Sequence, residues 1–232
     1  MVKRICIICL PRSGSSFIGE TLSKICSLTD LSEVFSINQP WHVEVNDDLT
    51  LSRRDDSARH QDGPEIMVPS FLSKLRAAPS TQSMLIKILM DQRIYLYMNE
   101  IVTTLKQYGF EFIILRRRNT ENQLLSFALA QATWLWESRT SWPAHKIKKV
   151  TVNTNFIHGL HKNLGQFDNA LVEFKISGYN MWYESALEDI QAFTGLPVDF
   201  DIPMIKIGLP NPYEQIENAE EVRNLIRTLN GT

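Results

Sequence analysis

Apolar and polar positions change period repeatedly along the chain, and each change marks an element. Residues 3–9 (KRICIIC) form a short apolar run with β-branched members, the pattern of a strand buried on both faces. A small-residue turn over 10–14 follows. Then SSFIGETLSKICS, 15–27, places apolar residues at 17, 18, 22, 25 and 26, a helical spacing. SMLIKILM, 83–90, predicts a second buried strand carrying one lysine, and EFIILRRR, 111–118, a third that ends in three arginines. Helices are predicted over 67–77 and over 93–109, the latter stopped by Gly109. Another covers 119–136 with Asn119 as its N-cap, and a further one 155–175. Residues 178–197 read as a strand and then a helix closed by Gly195 and Pro197, and 216–230 as a last helix.

The intervening stretches are less periodic. Residues 30–36 read either as a short strand or as its exit loop. Residues 46–65, with the run RRDDSARHQDG, read as a solvated loop in preference to a basic binding patch. Residues 137–150, with a proline and several basic residues, are a second loop, and the proline-bearing tail 198–215 an extended segment. There is no internal repeat and no low-complexity tract. Strands alternating with helices predict an α/β fold: a doubly wound, mostly parallel sheet with helices on both faces, as a single domain over 1–232. Ligands in such sheets sit at the carboxyl ends of the strands. The turn at 10–16 and the arginine run both occupy carboxyl ends.

Composition narrows the partners. With 232 residues, 44% hydrophobic and 22% charged, the chain has the make-up of a globular protein able to bury its own core. A net charge of −2 provides no global field for nucleic acid, so any anion site must come from local arginines and lysines. The first apolar run is about six residues long before Pro11 and Arg12, and nothing approaches the ~20 apolar residues of a membrane span. A cytoplasmic location is the expectation. Cys6 and Cys9 spell C-x-x-C, but they alternate across a buried strand and no second pair completes a zinc site. Three such cysteines suit a reducing compartment. His158 and His161, i and i+3 on a predicted helix, lack a carboxylate or thiol at ligand spacing, so no metal is expected.

The turn ICLPRSGSSF, 8–17, is where chemistry concentrates. Gly14 allows the backbone to come close to a ligand. Ser13, Ser15 and Ser16 offer hydroxyls and N–H groups, and Arg12 adds a forked cationic donor suited to phosphate or sulfate. Strand, turn and helix N-terminus together form an anion site. No lysine follows the glycine, so this is not the G-x-x-x-x-G-K-[ST] loop of ordinary ATPases. In LRRRNTENQLLSFALA, 115–130, an arginine at a strand end is followed eight residues later by a helical serine, a pair able to converge on one phosphate.

These two stretches resemble a known family. P-R-S-G-S-S-F, Pro11 through Phe17 with Arg12 as its cation, resembles the 5′-phosphosulfate loop of sulfotransferases that use 3′-phosphoadenosine 5′-phosphosulfate (PAPS), and R-R-N-x-x-x-Q-L-L-S resembles their 3′-phosphate motif, here Arg118 and Ser126. Arginine in the loop is similar to the carbohydrate, tyrosylprotein and bacterial trehalose branches. L-S-E-V-F resembles the segment in which the trehalose-type enzymes place a catalytic glutamate, here Glu33. L-I-K-I-L-M-D-Q resembles their lysine-bearing strand, here Lys87. W-Y-E-S-A-L-E-D-I-Q-A-F-T-G-L-P resembles a late structural element. Asn119 stands where aspartate is common, and the glycine-rich adenine loop of the cytosolic branch is not visible.

The resemblance implies a P-loop-like domain that transfers a sulfuryl group in line from PAPS, leaving PAP, to an acceptor hydroxyl on a small molecule or glycan. It implies Arg12 and the Ser15 and Ser16 N–H groups on the phosphosulfate, Glu33 as general base worth roughly 10²–10⁴-fold, and Lys87 either assisting the sulfate or snorkelling from its strand. Trp134, Trp136 and Trp142 are packing residues or a sugar-stacking surface, Trp142 the more open of them. Loops 36–66 and 137–150 are where an acceptor pocket would form. The rival readings are a P-loop-like kinase and a non-catalytic member that binds a nucleotide or glycan.

Overall fold

The computed structural model describes residues 2–35, 41–55, 63–90, 93–133, 149–198 and 212–231. The expectations on Trp134, Trp136 and Trp142, on most of 137–150 and on most of the tail lie outside them. Seven strands and seven α-helices are assigned within the described residues: β1 (Arg4–Cys9), α1 (Ser15–Cys26), β2 (Thr29–Glu33), β3 (Trp41–Val45), β4 (Leu51–Asp55), α2 (Pro64–Ala77), β5 (Met84–Leu89), α3 (Met98–Gln107), β6 (Glu111–Arg116), α4 (Thr120–Thr133), α5 (Thr154–Glu173), β7 (Tyr179–Trp182), α6 (Ala186–Thr194) and α7 (Ala219–Asn230). The chain divides into two compact units, one of Met1–Arg116 with Phe167–Phe200, the other of Arg117–Gln166 with Asp201–Thr232.

The first unit holds a five-stranded sheet in the order β2-β5-β1-β6-β7, and every pairing in it is parallel. β1 is central and buried along its whole length, as its continuous apolar run requires. Side chains of one parity, Ile5, Ile7, Cys9, Leu85, Ile113, Leu115 and Met181, form one core with Ile18 and Leu22 of α1 and Ile190 of α6. The other parity, Cys6, Ile8, Ile86, Ile88, Phe112 and Ile114, is buried too, so both faces are covered. The connections β1→β2 and β5→β6 run in opposite directions across the sheet, and right-handed crossovers then place α1 and α3 on opposite faces. All five carboxyl ends, including those of β1, β2 and β5, lie along one edge.

At the other end of β1, Arg4 is buried and donates to the carbonyls of Gln82, Tyr108 and Pro79 at 3.2, 3.1 and 2.7 Å. It ties together the turns that enter β5 and β6, at the edge opposite the strands' carboxyl ends.

Three expectations are corrected. Part of the loop expected over 46–65 is a strand: β4 pairs antiparallel with β3. Val43 and Leu51 are buried, Gln82 bonds both the N–H and the carbonyl of Leu51 at 2.8 and 2.6 Å, and Lys74 Nζ donates to the Val43 carbonyl at 2.6 Å. LSRRD has a single apolar residue, too little alternation to read as a strand. The helix expected over 93–109 opens with a 3₁₀ turn, Tyr95–Tyr97, before α3 begins. The strand expected over 111–118 stops at Arg116, leaving Arg117 and Arg118 beyond it. The choice at 30–36 resolves to a strand, β2.

The second unit holds α4, α7 and the first part of α5. Asn119 caps α4 as expected, its Oδ1 accepting the Asn122 N–H at 2.8 Å. Phe127 of α4 meets Phe156 of α5 edge to face at 6.5 Å. Asn218 bonds both backbone groups of Val152, and Val150 bridges Ile216, so the segment before α5 is clasped to the one before α7.

Candidate anion and transfer site

β1 ends at Cys9 and the chain turns through Leu10–Gly14 into α1. Two residues of the turn are left-handed: Arg12 at φ 62° and Gly14 at φ 92°. Left-handed residues in a turn of this kind swing successive N–H groups to one side, the backbone geometry that accommodates anions. Gly14 is the N-cap of α1 and no side chain caps the helix. Its carbonyl accepts the Ile18 N–H at 3.2 Å, so the N–H groups of Ser15, Ser16 and Phe17 have no acceptor inside the helix. The helix dipole adds roughly 0.3–1 kcal/mol in favour of negative charge there.

Within the turn, Ser13 is 1% exposed and its Oγ meets no hydrogen-bond partner. A buried hydroxyl left orphaned beside unpaired helix N–H groups is what a bound anion would satisfy. The residues present therefore fit a small oxyanion such as a phosphate or sulfate group.

Gly14 is required twice over. A Cβ built on it would lie 2.1 and 2.4 Å from Cδ2 and Cε2 of Tyr183, the residue after β7, and its φ is left-handed. Tyr183 thus covers the turn from the end of β7, two strands away from β1 in the sheet. The sequence pointed to Tyr183 only as part of a structural element.

Glu33 and Lys87 come to the same region. Lys87 is the register partner of both Ile7 on β1 and Glu33 on β2. It is 4% exposed, and its stem runs under Gly19 of α1, where an added Cβ would stand 3.4 Å from Lys87 Cδ. Glu33 is half-buried at the end of β2. Cys9 registers all these groups. Burial pushes its thiol up to about 11; the Ser13 and Ser15 hydroxyls and the Lys87 charge oppose this, and the Glu33 carboxylate adds to it. The loop serines, the carboxylate and the lysine are therefore close enough to act electrostatically on one sulfur. The Ser13 hydroxyl lies near enough to the Cys9 sulfur to oppose that rise, but its Oγ makes no hydrogen bond of normal geometry.

The three arginines separate. Arg116 is engaged by Asp168 and Asn180 and lies 5.7 Å from the Phe167 ring centroid, which makes it structural. Arg118 is exposed and Ser126 half-buried, both in the second unit, on the segment that opens and forms α4. In that unit Tyr213 donates to Glu121 Oε1 in the first turn of α4 at 2.7 Å.

Among the described residues no group of three or more His, Cys, Asp or Glu is placed to hold a metal ion, and no helix is long and apolar enough to cross a membrane. His158 is exposed on α5 and His161 half-buried. The sequence matches no protein-family model, and a search of curated proteins gives no match.

Proposed function

We propose that the chain is a PAPS-dependent sulfotransferase of P-loop-like, doubly wound architecture, acting on a hydroxyl of a small molecule or glycan. The observation that carries this reading is the turn after β1: a left-handed Arg12 and Gly14, an uncapped helix N-terminus and an orphaned buried Ser13 hydroxyl at the ligand edge of a parallel sheet, with a carboxylate and a lysine in register beside it. PAPS supplies the sulfuryl group. Arg12 and the Ser15 and Ser16 N–H groups hold the phosphosulfate and stabilise negative charge on the bridging oxygen as the S–O bond breaks. Glu33 accepts the proton of the acceptor hydroxyl. Lys87 balances the charge that accumulates between them. Arg118 and Ser126 hold the 3′-phosphate, an assignment that rests on their motif. As in phosphoryl transfer, positioning and charge provide most of the acceleration.

The test needs no acceptor. PAP, AMP and ATP are titrated by calorimetry into the wild type and Arg118→Ala. The expected result is a clear preference for PAP that falls about tenfold or more in the variant, the loss of one charge-assisted phosphate contact. Equal binding of PAP and AMP by the wild type overturns the reading.

A further inference from the structure

β2 is an edge strand, and it is irregular at its functional end. Thr29 and Asp30 pair one for one with Met84 and Leu85 of β5, but Glu33 pairs with Lys87. One residue is therefore extra between Asp30 and Glu33. Had the register continued unbroken, Ser32 would stand opposite Lys87 and Glu33 opposite Ile88. A one-residue slip sends every later side chain to the other face. The bulge is what puts the carboxylate on the lysine's row. Bulges at sheet edges commonly re-aim a side chain in this way.

The bulge has a specific brace. Ser32 is left-handed, at φ 61°, which is unfavourable for a residue with a Cβ. Its N–H donates to Asp30 Oδ1 at 2.7 Å, and its carbonyl accepts the Val34 N–H at 3.1 Å. Leu31, fully buried, anchors the irregular stretch in the core. The hydrogen bond to a carboxylate offsets the strain at Ser32 and holds the extra residue in the strand.

We propose that Asp30 is a positioning residue, whose carboxylate, by accepting the Ser32 N–H, maintains the bulge that sets Glu33 beside Lys87 at the mouth of the anion turn. Its catalytic meaning rests on Glu33 as the base of the proposed transfer; the geometric claim is separate. It has an independent consistency in Cys9, whose thiol feels both the Glu33 and the Lys87 charges.

The experiment reads geometry directly. The protein is treated with a zero-length carbodiimide, which joins a carboxylate to an amine only when the two are adjacent, and the Glu33–Lys87 isopeptide is quantified by mass spectrometry. The wild type is expected to form it. In Asp30→Ala the yield falls about tenfold or more, the population change expected from losing one charge-assisted hydrogen bond. Asp30→Asn, whose amide oxygen still accepts the Ser32 N–H, retains most of the yield. Asp30→Ala combined with Ser32→Gly regains it, because glycine adopts the left-handed conformation without a brace. That double variant also keeps the test decisive should Asp30→Ala fail to fold. No crosslink in the wild type, an unchanged yield in Asp30→Ala, or no recovery with Ser32→Gly overturns the proposal. PAP titrated into the same proteins separates the two ideas: its affinity is expected to be unchanged by Asp30→Ala. Failure of the wild type to prefer PAP removes the sulfotransferase reading while the crosslink still decides the role of Asp30.

Discussion

Glu33 and Lys87 are register partners on adjacent parallel strands, the carboxylate on the sheet's edge and the ammonium-bearing stem one strand further in. A lysine that is only 4% exposed is held by its surroundings, here the open space left by Gly19 above its stem. Packing and charge can be separated by choice of substitution. Lys87→Met keeps the volume and is expected to fold with a stability loss under about 1.5 kcal/mol. Lys87→Ala leaves a cavity and is expected to lose about 2–4 kcal/mol in denaturant unfolding. If the charge serves the transfer, Lys87→Met lowers kcat by about 10²–10³-fold, the range for removing one preorganised stabilising group. A folded Lys87→Met with full turnover assigns the lysine to packing alone.

Gly14 and Tyr183 make the second prediction. A methyl at Gly14 meets the Tyr183 ring at 2.1 Å, and the residue's φ of 92° disfavours any side chain. Gly14→Ala is expected to abolish PAP binding and to destabilise the protein by about 1–3 kcal/mol through backbone strain and the displaced ring. Adding Tyr183→Ala removes the clash but not the strain. The double variant is expected to recover part of the stability and little of the binding, read by thermal melts and calorimetry.

The contrast between what was legible and what was not follows the range of each interaction. The turn at 10–16 could be read because its meaning is local: a strand, small residues, an arginine and a helix start are contiguous. β1, β5 and β6 announced themselves by apolar runs, and Asn119 by its place before a helical pattern. The bulge at Ser32 left no trace, since the residue forced left-handed there is not a glycine and its brace, Asp30, resembles any strand-flanking aspartate. Tyr183 over Gly14 joins residues far apart in sequence, and only the sheet order brings them together. β4 was misread because its support is a side chain from elsewhere, Gln82. The RRR run looked uniform, yet Arg116 is consumed by Asp168 and Asn180.

The cysteines yield a prediction independent of function. Cys6 and Cys9 are fully buried, and burial pushes both thiols up, Cys9 to about 11. Cys26 is half-buried and raised by burial, with Lys3 opposing. A thiolate-directed reagent at pH 8 is expected to modify Cys26 alone in the native protein, and all three cysteines once guanidinium unfolds it. Rapid native labelling of Cys9 would contradict the buried end of β1.

Tyr213 makes a last prediction, on alkaline stability. Its hydroxyl donates to Glu121 at 2.7 Å and the Arg223 guanidinium lies 4.5 Å from its ring centroid. Burial first, and then the hydrogen bond and charge of Glu121, push the hydroxyl up to about 12, with Arg223 opposing. In the unfolded chain the same group ionises near 10. Below pH 10 both states hold the proton, and the contribution to stability is fully present. Between about 10 and 12 the unfolded chain loses a proton that the native chain keeps, so stability falls as pH rises through that window. Tyr213→Phe is expected to lower stability at pH 7 by roughly 0.5–1 kcal/mol, the low end for a hydrogen bond because Tyr213 is only half-buried and Glu121 is exposed. It should also flatten the decline above pH 10. Glu121 sits in the first turn of the helix that carries Ser126, so the same variant is expected to weaken PAP binding more than AMP binding. Melting curves from pH 7 to 11, with PAP and AMP titrations at pH 7, measure both effects, and an unchanged alkaline slope in Tyr213→Phe would show that this hydroxyl does not couple to folding.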